Sequence, residues 1–163
     1  MKKIESLEAP PRAAIIQSGF GAADYIDAYK IVASEDGSID TILNKAFKLP
    51  AWTLVLLKMR NSLVSSFGLK TDQFISTDKT HYEIGSKAAL FTVIDRNENE
   101  IVMGENDKHL NFRTSVMRSE ENEVIDVYLT TIVKYNNAWG RVYFFFVKPF
   151  HRAIMKSLLK RNF

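Results

Sequence analysis

Ile125-Asp-Val-Tyr-Leu-Thr-Thr-Ile-Val-Lys-Tyr135, then Asn136-Asn137, then Ala138-Trp-Gly-Arg-Val-Tyr-Phe-Phe-Phe-Val-Lys-Pro-Phe-His-Arg-Ala-Ile-Met-Lys-Ser-Leu-Leu-Lys-Arg161 is the stretch that decides the fold. Its first part has period two. Ile125, Val127, Leu129, Thr131, Val133 and Tyr135 alternate against Asp126, Tyr128, Thr130 and Lys134, the pattern of a strand with one buried face. Its second part has helical period. Lys148, Arg152, Lys156 and Lys160 step by four, with Arg141 one heptad before Lys148. Trp139, Tyr143, Phe146, Phe150 and Ile154 form a stripe on the other side. Val142 to Val147 also suits a strand by propensity, but two faces kept in register across Pro149 favour one long helix, Ala138 to Arg161, kinked near the proline. Its inner side is expected to carry Tyr143, Phe146, Phe150 and Ile154.

Upstream, three more segments have period two: Leu90 to Asp95, Glu100 to Glu105, and Leu110 to Val116. They are separated by turn chemistry at Arg96-Asn97-Glu98-Asn99, Asn106-Asp107 and, before Ile125, Glu120-Glu121-Asn122. Connections this short require antiparallel pairing, because a parallel crossover needs a dozen residues or more. Residues 25–32 read as a first strand. After the Asp36-Gly37 turn, Ser38 caps a short helix with Ile39, Ile42, Leu43 and Phe47 at helical spacing. Pro50 opens a second helix over about 51–67, with Trp52, Leu56, Met59, Leu63 and Phe67 in one stripe and Gly68 in the C-cap position. The expectation is an α+β domain over 24–163, behind an N-terminal arm of residues 1–23.

The chain has 163 residues, 46% hydrophobic and 25% charged, enough for one domain with a real core. The absence of cysteine excludes disulfide scaffolds, cysteine zinc sites, iron–sulfur clusters and thiol catalysis. There is no signal-type apolar segment, and the longest apolar run is far short of the ~18 residues of a membrane span, so a cytoplasmic location is the default expectation. The net charge of +3 is small, but no acidic residue follows Asp126, and the C-terminal end is locally basic.

The spaced set Asp24-Tyr25-x-Asp27, Pro50-Ala51-Trp52, Arg60-Asn61, Gly68-Leu69, Gly104-Glu105-x-Asp107-x-His109-Leu110, Thr131-x-Val133, Gly140-Arg141-x-Tyr143 and Pro149-Phe150-His151-Arg152 resembles a bacterial branch of the START-like (SRPBCC) superfamily, a branch known only as a domain of unknown function. The resemblance spans residues ~24–160. It implies the helix-grip fold: a curved antiparallel β-sheet wrapped around a long C-terminal helix, two helices inserted after the first strand, and a cavity between sheet and helix. Relatives in this branch also occur fused behind Rossmann domains of oxidoreductases. This chain carries no G-x-G-x-x-G after a strand, so a separate oxidoreductase partner is a further possibility.

The cavity candidates are Trp52, Met59, Arg60, Phe91, Met103, Glu105, Phe112, Thr114, Leu129, Thr131, Tyr143, Phe146, Phe150 and His151. Arg60, between Leu57 and Val64, needs a carboxylate partner, and Glu105 is the candidate. Thr114 and Thr131 read either as strand-forming filler or as the few polar contacts that orient a ligand in an apolar pocket. Glu105, Asp107 and His109 would converge on a metal if all lay on one strand. Asn106-Asp107-Lys108 reads as a turn, so the expectation is a solvated hairpin with no metal and no cofactor. The basic stripe reads as a solvated helix face, with anionic lipid or nucleic acid as the alternative contact. No nucleic acid and no membrane span are expected as partners. The functional expectation is a non-catalytic domain holding a small, largely apolar molecule. The competing one is an enzyme using His109 or His151 with Glu105 as an acid–base pair.

Overall fold

A computed structural model describes residues 3–33, 37–49, 53 and 78–163. Its centre is a seven-stranded antiparallel sheet. The strands are β1 (Glu5–Leu7), β2 (Tyr25–Ala33), β3 (Lys87–Ala88), β4 (Phe91–Arg96), β5 (Glu100–Asn106), β6 (Leu110–Glu121) and β7 (Val124–Tyr135), in spatial order β1-β2-β7-β6-β5-β4-β3. The expected meander is present with its turns. Asn122 and Glu123, both at positive φ, turn the long β6–β7 hairpin, the backbone a two-residue connection between right-twisted strands demands. The expected second helix, with Trp52, Met59 and Arg60, lies outside the described residues.

The first helix, α1 (Ile39–Ala46), starts where the sequence places it: the Ser38 side chain accepts from the Thr41 N–H. Ile39, Ile42, Leu43 and Phe47 are all buried. Asp40 is buried too. It takes two hydrogen bonds from the Arg96 guanidinium, at 2.8 and 3.0 Å, and one from the Tyr82 N–H, which ties α1 to β4.

The last helix, α2 (Ala138–Asn162), is continuous through Pro149. Asn137 caps it by accepting from the Gly140 N–H at 3.0 Å. Gly140 sits so close to the β5–β6 hairpin that a Cβ there would stand 2.0 Å from the His109 carbonyl oxygen. The helix start is therefore pinned to that hairpin by a residue without a side chain.

Both faces of the sheet are covered. On one, Met155, Leu158 and Leu159 of α2 join α1 over Ile31, Val127, Val116, Ile101 and Met103. On the other, Ile16 and Phe20 of the N-terminal arm pack on Val102 and Ile132, after the arm has entered the sheet as edge strand β1 beside β2.

The face that α2 turns to the sheet differs from the expected one. Phe144, Met155, Leu158 and Leu159 are buried and Tyr143 and Ile154 are partly buried, whereas Phe146 is 64% and Phe150 54% exposed. The assignment of Phe146 and Phe150 to the cavity wall is thus corrected. Between Val142 and Val147 the helix is apolar all round, so periodicity alone does not choose the buried side. The buried side is the one that continues into Met155, Leu158 and Leu159, and on it His151 faces Asp27 of β2.

Candidate functional site

Register places six of the expected cavity residues, Met103, Glu105, Phe112, Thr114, Leu129 and Thr131, on the helix-covered face in three neighbouring rows. One runs Tyr25, Val133, Phe112, Glu105. The next runs Asp27, Thr131, Thr114, Met103, Val93. The third runs Tyr29, Leu129, Val116, Ile101. Each row pairs residues directly opposite on adjacent strands, so their side chains touch on one face. The middle row is polar at its β2 end and apolar at its β4 end. Thr114 Oγ1 donates to the Thr130 carbonyl at 3.1 Å and lies 3.3 Å from Thr131 Oγ1. The Thr114 hydroxyl is thus bonded within the sheet.

The polar end of that row gathers the charged chemistry. Asp27 is 5% exposed. Its Oδ2 accepts from Tyr25 Oη at 2.7 Å and from Tyr29 Oη at 3.4 Å. His151, one side of α2, brings Nε2 to 3.5 Å from the same oxygen. Arg152 Nε donates to Tyr25 Oη at 3.0 Å, so guanidinium, phenol and carboxylate form a chain. Lys148 Nζ lies 4.9 Å from the centre of the Tyr25 ring and Lys156 Nζ 5.5 Å from that of Tyr29. Asp27 Oδ1 and His151 Nε2 are buried with no hydrogen-bond partner among the described residues. Burial, then the hydrogen bond to Asp27, pushes the Tyr25 phenol well above its ordinary range. Burial and the Asp27 charge push Tyr29 up to about 12. Both tyrosines thus stay protonated and keep donating to the carboxylate.

Phe144 closes the site on the α2 side, its ring centre 4.8 Å from that of Tyr25 and 6.4 Å from the His151 imidazole. A carboxylate, an imidazole and two phenols therefore meet under a basic helix edge, inside an otherwise apolar wall. Such a set orients a polar group by hydrogen bonds, and the imidazole can carry a proton.

The other candidates are elsewhere. Phe91 and Phe112 meet edge to face at 4.8 Å, at the far end of the same sheet face. Glu105 accepts from Lys87 Nζ at 2.7 Å and from Thr92 Oγ1 at 3.1 Å; Arg60, its expected partner, lies outside the described residues. His109 is partly buried on the β5–β6 hairpin with Nδ1 3.0 Å from the Asn137 amide, and Asp107 turns that hairpin by accepting from the Lys108 N–H. Glu105, Asp107 and His109 do not converge, and neither histidine pairs with Glu105 in the described hydrogen bonds. The carboxylate companion of His151 is Asp27, which sequence spacing did not single out: 124 positions separate them, and only register across β2 and the rotation of α2 bring them together.

A hollow of ≈ 470 Å³ lies on the opposite side of the sheet, lined by Ala13, Asn97, Asn99, Glu100 and Arg118. Glu100 there is almost fully buried. Burial raises its carboxyl above the usual range, against the Ile15 N–H that donates to Oε2 at 2.6 Å. A second, of ≈ 350 Å³, is lined by Tyr135 to Ala138 and Arg141 at the start of α2.

Compared with known proteins, the chain matches a family model described as a protein of unknown function, DUF2867, over residues 20–158. No curated protein and no solved structure matches it.

Proposed function

We propose, for this chain, which belongs to the DUF2867 family, that it is a binding domain of the START-like, helix-grip kind. It takes a small, largely apolar molecule between the sheet and α2. The observation that carries this reading is the pair of buried atoms Asp27 Oδ1 and His151 Nε2, which have no hydrogen-bond partner among the described residues, in an apolar wall. An unpartnered buried polar atom costs roughly 1–3 kcal/mol, and a ligand hydroxyl or amine placed between the two would satisfy both. The rest of the ligand would lie along Leu129, Thr131, Thr114 and Met103, away from the charged edge. Binding without turnover is the simpler reading, since both tyrosine hydroxyls already donate to Asp27 Oδ2 and Arg152 supports one of them.

One observation favours a second reading. The 3.5 Å approach of His151 to Asp27 resembles the pairing in which a carboxylate fixes the tautomer of an imidazole that transfers protons. In that case Asp27 holds the Nε2 proton and Nδ1 works on the substrate. Native mass spectrometry of protein purified from cells separates the outcomes. A small molecule that accompanies the wild type, dissociates on denaturation and is absent from folded Asp27→Asn and His151→Ala supports the binding reading. A wild type at its polypeptide mass under all gentle conditions counts against it.

A further inference from the structure

The side of α2 turned away from the sheet is apolar as well. Val142, Phe145, Phe146 and Phe150 are exposed, Phe145 by 73%, and the Phe145 and Phe146 rings meet edge to face at 5.5 Å. At 3.6 residues per turn these four fall within an arc of roughly 140°, centred opposite Phe144, His151 and Met155, and span about 12 Å of helix. Exposed Arg141, Arg152 and Lys156 run along one edge of that arc, and Lys160 continues its line beyond Phe150. The chain has no Asp or Glu after Asp126, so no carboxylate of α2 offsets this charge.

We propose that this face docks on the surface of an anionic phospholipid bilayer, with α2 lying in the plane of the interface. Aromatic side chains on one helix face beside a row of Lys and Arg suit the boundary between acyl chains and headgroups. There rings enter by about 5–10 Å and long basic side chains reach phosphates. No helix among the described residues is long and apolar enough to cross a membrane, so the contact is along the surface. Docking leaves the fold intact, because the face that holds α2 to the sheet is the opposite one. Charge complementarity selects the partner. A symmetric contact with a second copy through the same face would bring two basic edges together with no acidic residue on either helix, whereas an anionic bilayer supplies the missing charge.

The test is co-sedimentation of the full chain with vesicles of phosphatidylcholine alone and of phosphatidylcholine mixed with phosphatidylglycerol. The expected result is binding to the mixed vesicles only, falling by about tenfold or more as salt screens the charges. Phe145→Ser with Phe146→Ser should lower partitioning by about tenfold or more at unchanged circular dichroism. Arg141→Glu with Lys160→Glu, which leaves the rings in place, should do the same and keeps the test valid if the serine pair fails to fold. Equal binding to both vesicle types, or none to either, overturns the proposal. So does a wild-type dimer in light scattering that Phe146→Ser converts to monomer, since the face would then belong to a second copy.

Discussion

Replacing Phe144 by alanine should cost far more than replacing Phe150, although the two aromatics stand six positions apart on the same helix. Phe144 is 5% exposed, with the Tyr25 and Tyr135 ring centres at 4.8 and 5.9 Å. Truncating a buried Phe costs about 3–5 kcal/mol, the spread reflecting how far the site can collapse. Here collapse is resisted. The Tyr25 hydroxyl is fixed to Asp27 and Arg152, and Gly140 seats the helix start against a backbone carbonyl. A loss of about 3–4 kcal/mol is therefore expected, including the ~0.5–1.5 kcal/mol of the ring contacts. Phe150 removes about half its area from water at most and touches none of these groups in the described ring contacts. Alanine there should change stability by less than ~1 kcal/mol, with the better helix propensity of alanine offsetting part of the loss. Urea unfolding followed by circular dichroism, with equal slopes for both variants, measures the difference. A Phe150→Ala loss equal to or larger than that of Phe144→Ala would refute the stated rotation of α2 and detach His151 from Asp27.

Three further outcomes are expected. Gly140→Ala, which in an ordinary helix gains up to ~1 kcal/mol, should instead lose about 1–3 kcal/mol, because the new Cβ meets the His109 carbonyl; thermal unfolding gives the sign. Glu100 has a raised folded pKa, so its contribution is complete below the unfolded value near 4.5 and is lost as pH rises through the folded one. Glu100→Gln should flatten that part of the stability–pH curve, and an unchanged slope would show that the carboxyl is not buried against the arm. Burial pushes Asp40 upward, but the Arg96 and Tyr82 hydrogen bonds outweigh it and hold it below the usual carboxylate range. Its contribution is therefore present above the unfolded value and lost as pH falls through the folded one. Asp40→Ala should cost about 3 kcal/mol near neutral pH by stranding the half-buried Arg96, and should remove this acid-side loss.

The sheet was legible because period two and short turns leave few choices. Each hairpin of the meander is marked by Asn, Asp or Glu clusters, and Ser38 announces α1 by its capping chemistry. The length of α2 was legible for a similar reason, since the basic residues keep a step of four through Pro149. Its rotation was not. Tyr-Phe-Phe-Phe at 143–146 presents an aromatic to every side, so the apolar stripe had more than one equally good placement, and the one chosen left Phe144 out. The site followed the same division. Phe112, Thr114, Leu129 and Thr131 could be assigned to one face by parity, whereas Asp27 appeared only as a letter in a motif. A single carboxylate on a strand acquires meaning when the opposite helix turns an imidazole toward it. The contact made by the N-terminal arm is not announced by any pattern: Ile16 and Phe20 cover the other face of the sheet at Val102 and Ile132. Ala14, Ile15, Ile16, Phe20 and Ala23, which take part in it, repeat with neither a helical nor a strand period.

A crystal structure of the protein purified from its host without added ligand bears most directly on the proposed function. The expected result is continuous non-protein density that begins within hydrogen-bond distance of Asp27 Oδ1 and His151 Nε2 and extends along Leu129 and Met103. Side chains closed over that space, with the two atoms bonded to each other or to neighbouring residues, would contradict it.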